Sequence, residues 1–262
     1  MVLSEADSPA FLVPAADLIA AQYLMLERLE EALRGDGAID WADWPSATAA
    51  QVQRFFRTAY IHELRTTWFP AVPGLVERLE AGVRVADVGC GHGLSTLLMG
   101  AHWPASTFVG VDFDKPSIAA AHANAVEAGG RPNVSFLVGD ATEPFSGEYD
   151  VVVYFDALHD MGDPASALRE AYASLCQVGI VLAIEPWSTD RLEDGIGNPL
   201  VQLDYALSTS VCTPCALAQQ GRHAMGNQGG PTARLELLTA AGFRDPIVAA
   251  DTGFNLVLAA TK

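Results

Sequence analysis

From Val83 onward the apolar residues fall in short unbroken runs instead of alternating with polar ones: "VRVADVG", "STFVGVDF", "VSFLVGD", "YDVVVYFDAL" and "GIVLAIEPW". Runs of this kind predict strands covered on both faces, as in a parallel sheet sandwiched between helices. The stretches between them read as helices. "LSTLLMGAHW" is the first, and "KPSIAAAHANAVEAG" is Ala-rich and stops at a Gly-Gly pair. "DPASALREAYASLCQ" opens with Asp163 as an N-cap and Pro164 at the first helical position. After a last helix, "TARLELLTAAGF", the strands "DPIVAAD" and "FNLVLAATK" are joined by almost nothing, so they have to pair antiparallel. The expected fold is α/β: a doubly wound, seven-stranded, mostly parallel sheet that ends in an antiparallel hairpin.

Residues 1–80 follow a helical period instead. "ADLIAAQYLMLERLEEALRGDG" places Ile19, Tyr23, Leu26 and Leu33 on one face and ends at Gly35. "SATAAQVQRFFRTAYIHELRTTWF" is a second amphipathic helix, stopped by Pro70 and Pro73, and "IDWADWP" between the two reads as a loop carrying Trp41 and Trp44. The reading is a helical cap over residues 1–80 and an α/β domain over 81–262. Residues 190–230 form an insertion after the fifth strand, with "GNQGG" as a mobile loop.

Composition narrows the partners. A formal charge of −17 argues against phosphate backbones and anionic membrane surfaces as ligands. The start "MVLSEADSPAF" is acidic and has no basic segment ahead of an apolar one, as a signal peptide would, and no apolar stretch is long enough for a bilayer. The expectation is a cytoplasmic protein without membrane or nucleic-acid partners. Four cysteines are too scattered for a disulfide framework. Cys212 and Cys215 have C-x-x-C spacing, but no second such pair accompanies them, so they are read as small residues facing a pocket or core, with no metal.

The chemistry concentrates in "VADVGCGHGLST", residues 85–96. A strand-to-helix turn that brings its backbone against a cofactor needs glycine where a Cβ would obstruct it. Gly89, Gly91 and Gly93 stand at alternate positions, whereas the dinucleotide fingerprint G-x-G-x-x-G would need glycine at 94, where the chain has Leu94. A nicotinamide-dependent oxidoreductase is disfavoured for that reason. Three acidic residues end successive strands, where open α/β sheets bind ligands. Asp112 is placed to accept from both hydroxyls of a ribose, and Asp140 from an adenine amino group with Phe113 packing on the ring. Asp87 and the Gly89–Gly91 backbone would face an amino-acid portion bearing an ammonium group.

This ordered set resembles the class I S-adenosylmethionine-dependent methyltransferases over residues 83–262. "GVRVADVGCGHGLSTLLM", "FDALHDMGDP" and "CTPCALAQQG" are similar, more narrowly, to an actinobacterial group that usually carries an N-terminal winged-helix segment, which is expected to be missing here. The resemblance implies S-adenosylmethionine as cofactor, held by Asp87, Gly89, Cys90, Gly91, Gly93, Asp112, Phe113, Asp140, Ala141 and Asp156. In small-molecule O-methyltransferases a His-Asp-Trp sequence after the fourth strand supplies the general base. His159 and Asp160 match it, with Met161 in place of Trp. Glu185, at the end of the fifth strand, is the second catalytic candidate, as an acceptor anchor or an alternative base. The Asp-Pro-Pro-Tyr type of motif that nucleic-acid methyltransferases place after strand four is replaced by Asp156-Ala-Leu-His159.

The aromatic supply of the cap, with Trp41, Phe56, Tyr60, His62 and Trp68 as acceptor contacts, points to an apolar or aromatic small molecule. The expected protein is an O-methyltransferase of secondary metabolism acting as a homodimer. A C-methyltransferase and a non-catalytic S-adenosylmethionine-binding regulatory module are the alternatives.

Overall fold

The computed structural model describes residues 5–145 and 147–262, so the first four residues of the acidic N-terminal segment lie outside the described residues. Seven strands form one sheet: β1 (Arg84–Val88), β2 (Thr107–Asp112), β3 (Val134–Val138), β4 (Tyr149–Phe155), β5 (Leu175–Pro186), β6 (Arg244–Asp251) and β7 (Asn255–Thr261). Their spatial order is β3-β2-β1-β4-β5-β7-β6. β1 to β5 pair in parallel, and β7 runs antiparallel between β5 and β6, as the short join between the last two strands requires.

The unbroken apolar runs have the predicted cause. Along β4, Val151, Val153 and Phe155 enter one core layer, while Val152 and Tyr154 enter the other. The second layer is closed by α7 (Pro164–Ser174) and α11 (Pro231–Ala240), through Leu168, Ala171 and Leu238. The first layer is closed partly by the N-terminal helices. Of α1 (Val13–Leu24), α2 (Leu26–Arg34), α3 (Thr48–Glu63) and α4 (Leu75–Ala81), with a π-helical turn (Leu64–Trp68) following α3, it is α3, the turn and α4 that reach this layer. Leu64, Trp68, Phe69, Leu75 and Leu79 are fully buried in the same cluster as Val151 and Leu182, so the end of the cap is built into the sheet's own core. α5 (Leu94–His102) and α6 (Lys115–Glu127) complete the wrapping of β1 to β3. The insertion is also helical, with α8 (Leu192–Gly195), α9 (Pro199–Leu207), a π turn (Ser208–Cys212) and α10 (Thr213–Ala218).

Two expectations change. The N-terminal helical run breaks at Met25, and the side chains that pack inward are Pro14, Ala21 and Met25. Ile19, Tyr23, Leu26 and Leu33 instead face outward, with Tyr23 70% exposed. The "GNQGG" segment is not free either. Asn227 is buried, its carbonyl accepts from Arg234 Nη2 at 2.9 Å, and the Gly230 N–H donates to Ser188 Oγ at 3.1 Å. Among the described residues no helix is long and apolar enough to cross a membrane.

Candidate active site

β1 and β4 are neighbours whose following segments diverge, and the strand order reverses between them. This is the crevice where doubly wound sheets bind ligands. The glycine loop fills one side of it, and each glycine has its own reason. Gly89 has φ +77°, and a Cβ there would stand 2.6 Å from Ala157 Cβ. Gly93 caps α5 at φ +80°, and a Cβ would meet the Phe136 ring at 2.5 Å. Gly91, at φ +52°, has nothing within 4 Å of such a Cβ because it faces open space. The loop is held by Asp112, whose Oδ2 accepts the Gly91 N–H at 2.8 Å while Oδ1 accepts that of Asp114 at 2.9 Å. Burial pushes the Asp112 carboxyl up, against the lowering effect of those two amides.

A cavity of about 410 Å³ opens beyond the loop. Gly89, Cys90, Gly91, Asp112, Phe113, Asp140, Ala141 and Asp156 lie on one wall. Asp40, Trp41, Phe56 and Tyr60 of the cap, Asp160 and Met161 of the turn after β4, and Cys215 of α10 with Gln219 at its end complete the lining. The Phe113 ring is 53% exposed although it stands on that wall, leaving a flat apolar face open to a planar ligand. Asp156 is the strained member of the set, with φ +47° in a non-glycine residue. Its Oδ1 accepts from Asn255 Nδ2 at 3.1 Å, and its Oδ2 is buried without a partner. Burial, followed by the neighbouring Glu185 charge, raises its carboxyl well above the usual range.

Behind this wall Glu185 organises the turn after β4. Its Oε1 accepts from the Leu158 N–H at 3.0 Å, and its Oε2 lies 2.6 Å from His159 Nδ1. Both side chains are buried. On the far side of the ring, His159 Nε2 is 3.1 Å from Asp160 Oδ1, yet that oxygen lies out of hydrogen-bonding alignment. Burial disfavours a charged imidazole here, but Asp160 and Glu185 together outweigh it and hold the His159 pKa well above its ordinary value. Glu185 shows the matching trend: burial would raise its carboxyl, and His159 with Arg234 brings it down. The pair therefore favours a charged imidazole facing a carboxylate. The ligand atoms of His159, Asp160 and Cys212 lie within 4.8 Å of one another, and the Cys212 thiol donates to Asn227 Oδ1 at 2.8 Å.

The methyltransferase domain family matches residues 79–229, more than half of the chain, including the glycine loop and the ends of β1, β2, β4 and β5. The chain belongs to that family. Ubiquinone biosynthesis O-methyltransferase of Pseudomonas savastanoi pv. phaseolicola is 31% identical over 113 residues, covering 43% of this chain and 46% of that protein. The chain thus spans about half the length of the curated relatives it matches. An O-methyltransferase family protein from Burkholderia thailandensis superposes with a TM-score of 0.69 at 16% identity, over 97% of this chain and 73% of that one. NcsB1, an O-methyltransferase from neocarzinostatin biosynthesis solved with S-adenosylmethionine and 2-hydroxy-5-methyl naphthoic acid, gives 0.64 at 18% identity over 93% and 70%. Likenesses this remote establish a shared fold, the class I methyltransferase sheet.

Set against the sequence reading, this methyltransferase domain brings most of the expected residues together and redistributes others. Asp87 is not on the cavity wall. Its carboxylate is wholly buried behind the loop, where Oδ2 accepts from Ser95 Oγ and Thr96 Oγ1, both at 2.6 Å, and fastens the start of α5. Burial pushes that carboxyl up to about 6 in spite of the two hydroxyls. Gly93 serves the helix start and does not line the cavity. Of the cap residues, Trp41, Phe56 and Tyr60 are on the wall. Trp68 is fully buried against Tyr60 and Phe155, because the π turn rotates it into the sheet core. His62 points the other way, with Nε2 2.8 Å from the Asp7 carbonyl. His159 and Glu185 stand one layer behind the wall, with Asp160 in front of them. Asp40, Gln219 and Gln220 were not foreseen, since nothing local in "IDWADWP" or "ALAQQG" marks a residue brought to the wall by folding.

Proposed function

We propose that this chain is an S-adenosylmethionine-dependent O-methyltransferase acting on a small aromatic acceptor of secondary metabolism. The single observation that carries the reading is the cavity itself, with the glycine loop, Asp112 and Asp140 on one wall, the aromatic cap opposite, and the His159–Glu185 pair directly behind. The residues fit the cofactor. Asp156 Oδ2, buried and without a partner, suits an ammonium group, the bare Phe113 ring suits a purine, and the open side of Gly91 leaves room for a ligand against the backbone. Asp112 would receive the ribose hydroxyls, and Asp140 with Ala141 the adenine edge. S-Adenosylmethionine supplies, when bound, a methyl group on an electrophilic sulfonium.

The chain's own work is alignment, exclusion of water and removal of one proton. Trp41, Phe56 and Tyr60 fix the plane of an aromatic acceptor. With the ring neutral, above its raised pKa, a hydroxyl on that acceptor passes its proton by way of Asp160 to His159 Nε2, which lies 3.1 Å from Asp160 Oδ1 and comes into line with it for the transfer. Glu185 fixes the ring by taking Nδ1–H, so that Nε2 is the nitrogen that exchanges. Residues 1–80 act as a lid over the acceptor half and as the segment through which two copies associate. The test is calorimetry with S-adenosylhomocysteine on the purified protein and on Asp112→Ala. We expect saturable binding of one equivalent, weakened about tenfold or more by the loss of a charged hydrogen-bonding group. Binding of NAD with no response to S-adenosylhomocysteine would sink the reading.

A further inference from the structure

The acceptor half of the cavity has an unbalanced charge. Its lining, taken with the cofactor half, includes six aspartates (Asp40, Asp112, Asp140, Asp156, Asp160 and Asp163) and neither a lysine nor an arginine among the described residues. Three of the six, Asp40, Asp160 and Asp163, belong to the turns on the acceptor side. No arginine or lysine lies within ion-pair distance of any of them among the described residues, and Asp160 faces His159, itself engaged by Glu185, and the Cys212 thiol. The nearest arginine of the insertion is turned away, since Arg222 pairs with Asp36. The walls beside these carboxylates are Trp41, Phe56 and Tyr60, whose ring faces also attract a cation.

From this geometry we infer that the acceptor is an aromatic molecule carrying a protonated amine, which the field of Asp40, Asp160 and Asp163 holds under the aromatic cap. The inference rests on the proposal that this cavity takes the methyl acceptor. A carboxylate-bearing aromatic would enter the same space against Asp40 and against Asp160 and Asp163, whose charges are only partly offset, by His159 for the one and by Arg169 and His223 outside ion-pair distance for the other. An ammonium group gains from each of them, and more so as the lid excludes water. NcsB1, whose fold this chain shares, is described with a naphthoic acid; the charge pattern here assigns the opposite sign to the acceptor.

Three probes of one shape and different charge test it: tyramine, 4-ethylphenol and 3-(4-hydroxyphenyl)propionate. Each is titrated into the full-length protein by calorimetry, with and without saturating S-adenosylhomocysteine. Tyramine is expected to bind about tenfold or more tighter than the acid, with 4-ethylphenol between them, and the gap should narrow at high salt. Asp40→Asn and the double variant with Asp163→Asn keep the N-cap acceptors of their turns, because asparagine caps as well as aspartate. They should shrink the tyramine preference several-fold and leave S-adenosylhomocysteine binding unchanged. An acid that binds as tightly as tyramine, a failure of tyramine to bind, or a preference untouched in both variants overturns the inference. Failure of the methyltransferase reading has a separate signature, the absence of the S-adenosylhomocysteine isotherm itself.

Discussion

At the scale of single residues, the site works through carboxylates given different tasks by their surroundings. Asp87 is a structural anchor because two hydroxyls from α5 meet it. Asp156, like Asp87, has one buried oxygen without a partner, but it alone of the two lines the cavity. Glu185 is spent on three backbone amides and a ring nitrogen, which makes it a positioning residue. His159, between two carboxylates, holds its proton well above the ordinary imidazole pKa despite its burial. The sign for activity follows directly. Below that raised pKa the ring is charged and accepts no further proton, so the methylation rate of an accepted phenol should climb as pH rises past neutrality. The groups that face the ring and shape this profile are Asp156, Asp160, Glu185, Asp204, Cys212 and Arg234. His159→Ala should lower the rate about 10² to 10⁴-fold and flatten the profile, with S-adenosylhomocysteine affinity retained. An unchanged profile in that variant would remove His159 from proton transfer.

At the scale of elements, one buried cation ties the insertion to the sheet. Arg234 on α11 is 1% exposed, and it donates to the Pro186 carbonyl at 2.8 Å and to the Asn227 carbonyl at 2.9 Å. It thereby fixes the end of β5, just past Glu185, to the "GNQGG" segment. It is also the cation set against Glu185, Asp156 and Asp204. Burial presses its pKa down, and those three carboxylates oppose the fall. Its loss leaves buried acceptors unpaired and a cluster of negative charge uncompensated. Arg234→Met should therefore cost about 3–5 kcal/mol in denaturant unfolding. Proteolysis should also begin at 219–230, which the wild type resists. A variant of wild-type stability would mean that the cluster is neutralised in some other way.

For the whole molecule, the apolar residues exposed on the N-terminal helices bear on assembly. Ile19, Tyr23, Leu24, Leu26 and Leu33 all present more than two-fifths of their surface to solvent, on adjoining helices α1 and α2. A patch of this kind on a chain of net charge −17 is the expected signature of a surface that another copy covers. The protein should sediment at twice its 27.8 kDa chain mass, and Tyr23→Glu combined with Leu24→Glu should halve it without loss of helicity. A monomeric wild type at tens of micromolar would end the homodimer proposal.

The sequence by itself determined the strands, the glycine loop, the terminal hairpin and the acidic strand ends, because each is a local matter of periodicity, turn chemistry or spacing. It identified His159 and Glu185 as a chemical pair of candidates but carried no sign that two residues 26 positions apart touch. Only tertiary structure decided which way side chains face. It set Asp87 behind the loop and Asp156 at the cavity lining, buried Trp68, and exposed the apolar face of α1. It also drew Asp40 to the cavity and pinned "GNQGG" with Arg234. Helical and strand periods fix faces relative to one another within an element, whereas the face that meets the core depends on where neighbouring elements pack. In this chain the helix break at Met25, the π turn at Leu64–Trp68 and the buried Arg234 set that packing.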